Sequence, residues 1–202
     1  GTGDLILVSG TFAAGFSITP ADAGVTVIGT PQSSLTGDVQ VTGNDVILQR
    51  LHITGNVTAT SAERLTLRES TIVGTVTVEG GSDVQLSHNT IQAGSPGIVL
   101  AGNTDGANVW KNTIVGGDQG IALGDPAGVL PGGVFNVQLH ENATSASTTG
   151  LLITSDASGN IFDNDFSATA TGLEMDAGFT GPIDHNRFHD ATVGVRYDLP
   201  LE

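Results

Sequence analysis

The feature that most constrains this chain is a short phrase restated seven times between Asp45 and Tyr197. One copy reads Val84-Gln-Leu86-Ser-His-Asn89-Thr-Ile91, and aligning the others on its Asn gives a column of Leu51, Ser70, Asn89, Asn112, Asn142, Asn164 and Asn186. Most intervals are 19 to 23 residues, the length of one coil of a β-solenoid. Three residues before each anchor stand Leu48, Leu67, Leu86, Val109, Leu139, Ile161 and Ile183. Two after it stand Ile53, Ile72, Ile91, Ile114, Thr144, Phe166 and Phe188. Both columns are expected in the core.

A second segment keeps the same register. Eight residues after the anchor, Gly97, Gly120, Gly150, Gly172 and Gly194 each open an apolar strand, such as Ile98-Val-Leu100, Ile121-Ala-Leu123 and Leu151-Leu-Ile153. Period-two alternation turns the outer residues of each triplet inward and the middle one outward. The two earliest copies lack the glycine, and their strands around Val57 and Val76 begin sooner, through a tighter turn. The chain has 29 glycines in 202 residues and 4% aromatics, which suits many tight turns between short strands. There is no sustained helical periodicity and no membrane-length apolar run, and no stretch reads as a signal peptide. With no cysteine, stability must come from stacked coils rather than crosslinks. Residues 1–202 therefore read as one elongated all-β domain, a right-handed parallel β-helix of roughly nine or ten coils.

The opening extends the pattern. Leu5-Ile-Leu-Val-Ser-Gly-Thr-Phe12, Phe16-Ser-Ile18, Val25-Thr-Val-Ile-Gly29 and Val39-Gln-Val41 are short alternating strands between Gly, Pro and Asp turns. Followed by Asn-Thr-Ile copies with Gly-Ile between them, this order resembles the right-handed parallel β-helix proteins, the pectate lyase-like group of carbohydrate-binding and sugar-hydrolase repeats. The resemblance covers nearly the whole chain and implies the fold. For function it implies only a range, from lyases, epimerases and hydrolases to non-catalytic surface modules.

The Asn column has a physical reason. Coils repeat at about 4.8 Å, so an inward carboxamide can donate to one neighbour and accept from the other. Leu51 and Ser70 begin the column without amides.

Charge limits the partners. With 21 acidic against 6 basic residues and a net charge of −15, a nucleic acid is excluded and an anionic polysaccharide is repelled. A neutral glycan or a protein surface is the expected partner. The acidic, cysteine-free composition points to an extracellular or cell-surface protein of bacterial type.

Two stretches look like hydrolase motifs, Asn103-Thr-Asp105 and Gly117-Asp118-Gln119. Inverting hydrolysis needs an acid and a base about 6.5 to 9.5 Å apart. Here Gln119 replaces one carboxylate, and the interval from Asp105 to Asp118 is far short of a full coil. The better catalytic set is C-terminal: Asp163, Asp165, Asp184, His185 and Arg187. Register puts Asp163 beside His185 and Asp165 beside Arg187 on adjacent coils, where Arg187 or His185 would serve a lyase or epimerase as base. Cross-coil ion pairing explains the same stacks without catalysis. The reading favoured here is a non-catalytic module, with the carbohydrate-active enzyme as its rival.

Trp110 lies two before Asn112 and should point outward with His140 beside it on the next coil, a platform for stacking on a sugar ring. No spaced calcium loop is present, so no metal site is expected and calcium would bind only adventitiously. The stretch 124–133 interrupts the repeat with an apolar tip at Val129-Leu130, and such loops often carry recognition. The chain lacks an initiating Met, and Leu201-Glu202 resembles a cloning scar. The expectation is a domain excised from a larger protein, with neighbouring domains or a partner chain covering the first coil.

Overall fold

The computed structural model describes residues 3–92, 94–146 and 148–198. They form a parallel β-helix of nine coils with three parallel sheets, of eleven, nine and nine strands; each coil gives one short strand to each sheet, except that two coils give the first sheet two. In the fifth coil the strands are Gln85–Ser87, Thr90–Gln92 and Ile98–Ala101. The inward column of the first sheet runs in register through Leu48, Leu67, Leu86, Val109, Leu139, Ile161 and Ile183. That of the second runs through Ile53, Ile72, Ile91, Ile114, Thr144, Phe166 and Phe188. These residues are buried except Ile183 and Phe188 in the last coil, which are half-buried.

The corner between the first and second sheets repeats one backbone trick. The residue before each anchor is left-handed: Arg50, Glu69, His88, Lys111, Glu141, Asp163 and His185 all have φ between 52° and 55°. For L-residues that conformation costs roughly 1–2 kcal/mol each, and the hydrogen bonds of the next residue offset it. Asn89, Asn112, Asn142 and Asn164 each donate Nδ2–H to the Oδ1 of the next Asn, at 2.9–3.0 Å. The same Oδ1 atoms accept the backbone N–H of the preceding coil, and Nδ2 also reaches a carbonyl such as Leu86 O, 2.9 Å from Asn112. The ladder extends below its first amide, because Asn89 Oδ1 accepts from Ser70 N–H at 3.0 Å and Ser70 Oγ from Leu51 N–H at 3.1 Å.

The glycine column has a spatial cause. A Cβ on Gly120 would lie 2.8 Å from Thr144 Cβ, one on Gly150 2.8 Å from Phe166 Cβ, and one on Gly172 2.7 Å from Phe188 Cβ. Each glycine therefore clears room for the inward side chain of the following coil's second strand, and any larger residue would collide with the core.

One expectation about the third sheet needs correction. Val99, Ala122 and Leu152, the middle residues expected to face solvent, are buried. The cause at Val99 is the insertion 124–133, which turns back along the outer face of the third sheet and forms a groove with it. Asp125 organises that loop by accepting N–H bonds from Ala127 at 3.0 Å, Val129 at 2.8 Å and Leu130 at 3.0 Å.

The first coil leaves apolar surface open. Leu5 and Leu7 are 70% and 66% exposed. A cavity of about 850 Å³ opens among Leu7, Phe12, Phe16, Ile18 and Leu35. No helix among the described residues is long and apolar enough to cross a membrane.

Candidate functional site

Three places hold the side chains able to do chemistry or binding. The first is the C-terminal cluster on the outer face of the second sheet and its corner. Asp165 stands opposite Arg187 in the register, with Arg187 Nη1 3.8 Å from Asp165 Oδ2. A closer partner is His189, whose Nε2 lies 2.8 Å from Asp165 Oδ1 and whose Nδ1 lies 2.6 Å from Asp190 Oδ2. His189 follows Arg187 by two and so shares its face; that spacing was the available signal for it.

His185 departs from the expected pairing with Asp163. Its Nδ1 lies 3.6 Å from Asp184 Oδ1 instead, because the left-handed corner directs both side chains outward and gives the sequence neighbour shorter reach. The side chains of His185 and Arg187 are 78% and 70% exposed. Asp163, Asp184, His185 and Arg187 are exposed and Asp165 half-buried, and none of the five lines a described cavity.

The hydrolase-like motifs serve the backbone: Thr104–Asp105 form a short strand after a turn, and Gln119 opens the strand Gln119–Leu123. Asn103 is left-handed at φ 66°, Thr104 Oγ1 donates to Ala101 O at 2.7 Å, and Asp105 Oδ1 accepts from Asn136 Nδ2 at 2.7 Å.

The second place is a row of rings on the outer face of the first sheet. Trp110 and His140 stack at 6.2 Å and 10°, His140 and Phe162 at 4.8 Å and 4°, and His88 meets Trp110 edge-on at 6.4 Å. Trp110 is half-buried rather than freely exposed, because its neighbours cover its faces. The stacked rings of Trp110, His140 and Phe162 turn their faces to one another along the helix axis. His140 is held further by Asn108 Oδ1 at Nε2 and Glu141 Oε1 at Nδ1, both 3.2 Å. Burial would push the Glu141 carboxyl up, yet hydrogen bonds from His140 and Lys111 hold it below its ordinary range.

The third place is the groove between the third sheet and the insertion, about 600 Å³ in volume. Thr77, Ser95 and Gln119 give it hydroxyl and amide groups, Val99, Val129 and Leu130 an apolar wall, and Glu79 a negative charge. Val129 is 74% exposed at the loop tip.

Elsewhere one ion pair favours the charged forms of both its partners. Arg64 grips Asp45 with Nε–Oδ1 at 2.6 Å and Nη2–Oδ2 at 3.0 Å, which lowers the Asp45 carboxyl and raises the guanidinium. Among the described residues, one group of three donors brings its ligand atoms within 4.8 Å: Glu174, Asp176 and Asp198. Arg196 already sits there, with Nη1 3.2 Å from Glu174 and Nη2 2.5 Å from Asp198.

With this geometry established, comparison with known families is decisive at one level. The family model for periplasmic copper-binding protein (NosD) matches residues 2–199. The chain belongs to the NosD family. That family is a periplasmic right-handed parallel β-helix family of the pectate lyase-like kind, so the handedness, the architecture and a home outside the cytoplasm agree with the sequence reading. No curated protein and no solved structure matches this NosD-family chain.

Proposed function

We propose that this NosD-family chain is a non-catalytic β-helix module, a rigid stalk whose groove beside residues 124–133 receives a segment of another protein. The observation that carries the reading is a separation of parts. The paired acid, base and cation candidates lie outside the described cavities, whereas the groove beside the insertion is lined by hydroxyl, amide and apolar groups with the Glu79 and Asp125 carboxylates and no histidine, lysine or arginine. Acid–base catalysis works best with groups shifted towards neutral pH inside a water-excluding site. The carboxyls that depart from their ordinary values here, Asp22, Asp45, Asp125 and Glu141, are all lowered.

A protein segment suits the groove better than a glycan. Its wall is aliphatic and offers no aromatic face for a sugar ring. The rings of Trp110 and His140, the alternative contact for a neutral glycan, spend their faces on each other. An apolar side chain with a neutral or basic neighbour matches the wall and Glu79. The same reading has neighbouring sequence or a partner chain covering Leu5 and Leu7 of the first coil.

The test is a peptide array and a neutral-glycan array probed with the wild-type chain, Val129→Asp and Trp110→Ala. Apolar peptides should bind, and Val129→Asp should weaken them about tenfold, the scale of one well-placed contact. Glycan binding lost in Trp110→Ala and untouched by Val129→Asp would transfer the site to the ring row.

A further inference from the structure

We infer that this member of a family described as copper-binding carries no copper site in its own β-helix. The inference rests on where the chain puts its copper-compatible donors. Copper is selected by thiolate and thioether sulfur in its reduced state and by imidazole with other nitrogen or oxygen donors in tetragonal sites when oxidised, and among the described residues the one group of three converging His, Cys or carboxylate donors contains no histidine. The sequence has no cysteine, one methionine and five histidines, and all six of those side chains lie among the described residues.

The methionine is unsuitable. Met175 is 9% exposed, packed in the core column of the third sheet between Ile153 and Tyr197. A sulfur there is part of the packing and has no second sulfur to join it.

The histidines are kept apart by the solenoid itself. His52 belongs to the third coil, His88 to the fifth, His140 to the seventh, and His185 and His189 to the ninth. Any two in different coils are at least two coils apart, about 10 Å at the usual strand spacing. Nitrogens sharing one metal lie within two bond lengths, about 4 Å. Trp110 fills the space between His88 and His140.

The pair in the ninth coil is divided by its carboxylate neighbours. His189 has both ring nitrogens on carboxylates, Asp165 at 2.8 Å and Asp190 at 2.6 Å, and His185 turns to Asp184. His140 likewise has both nitrogens engaged. His140 is therefore hydrogen-bonded at both ring nitrogens and His189 lies against a carboxylate at each, while His52, His88 and His185 stand at separate points of the surface.

The Glu174, Asp176 and Asp198 group does not repair this. It is all oxygen, which suits hard cations rather than copper, and the Arg196 guanidinium takes the position of a cation. The donor set of this chain therefore conflicts with the family's description.

The test uses the chain as it stands, loaded with Cu(II), and separately with Cu(I) under ascorbate. Each sample is desalted through EDTA or bathocuproine disulfonate, and copper is counted by atomic absorption. Neither state should be retained. Line broadening in NMR spectra with Cu(II) before desalting should map to isolated histidines and vanish in a His52→Ala/His88→Ala/His185→Ala variant. Stoichiometric copper surviving the chelator overturns the inference, whichever substitution removes it. Broadening that converges on one cluster of two or more donors overturns it as well.

Discussion

The corner between the first and second sheets and the outer side of the third are built on opposite terms. At the corner every coil from Asn89 to Asn186 makes the same turn with the same amide bonds. Beside the third sheet a single insertion makes a single groove, held by one carboxylate, Asp125. What repeats regardless of its neighbours serves the stack, and what occurs once is free to serve recognition. That contrast also explains why the Asp163–Arg187 cluster, which lies in repeating columns, is weak ground for a catalytic site.

The largest effect should come from breaking the repeating side. Asn142→Leu removes the acceptor used by Asn112 N–H and Nδ2 and the donor to Val109 O. Unpartnered buried groups of this kind cost about 1–3 kcal/mol each, so urea unfolding should show a loss of about 3 kcal/mol or more. Asn186→Leu, at the half-buried end of the ladder, should lose clearly less. Equal losses at both positions would mean that the ladder is not an internal element.

A second prediction sharpens the unique side. Asp125→Ala should leave the global midpoint nearly unchanged while amide exchange at Ala127, Val129 and Leu130 accelerates strongly. Burial tends to raise the Asp125 carboxyl, but the three N–H bonds outweigh it and its pKa is lowered. A depressed carboxyl contributes stability that is full above its unfolded value, about 4. Loop protection should therefore be constant from pH 7 to 5 and disappear as pH falls through and below about 4, where wild type and variant converge.

A smaller effect belongs to the ring row. His140→Ala removes both stacks around it and should cost about 1 kcal/mol beyond lost area. Trp110 emission should shift to the red and become more open to acrylamide. An unchanged spectrum would contradict the stacking.

The smallest is Arg187→Ala. Its pairing with Asp165 is long and exposed, and such pairs contribute up to about 1 kcal/mol, screened by salt. Any difference at low ionic strength should vanish in high salt.

Much of this was legible in the sequence because it recurs. Leu86 and Ile91 announce their columns through six equivalents each, and Asn89 to Asn186 announce a ladder by falling in one register. What recurs without showing its cause is the glycine column. Gly150 looks like a turn residue until Phe166 of the next coil is seen where its Cβ would be. The places that escaped depend on residues far away or on a local choice of partner. Val99 is covered by a loop some 25 residues later, which no alternation rule contains. His185 had two carboxylates in reach, and only the corner geometry selects Asp184 over Asp163. Copper lies outside the reach of sequence pattern here, since His185 and His189 have the spacing of a ligand pair but no cysteine or third nearby histidine joins them in the sequence.

The central claim, a module that binds without turnover, is tested most directly by incubating the chain with uronate and neutral polysaccharides, with and without Ca²⁺, and scoring unsaturated products and reducing ends. The account predicts no turnover above a buffer control, and no difference among wild type, Asp165→Asn, His185→Ala and Arg187→Ala. Turnover by the wild-type chain that any of these three substitutions abolishes would contradict it and make the C-terminal coils an active site.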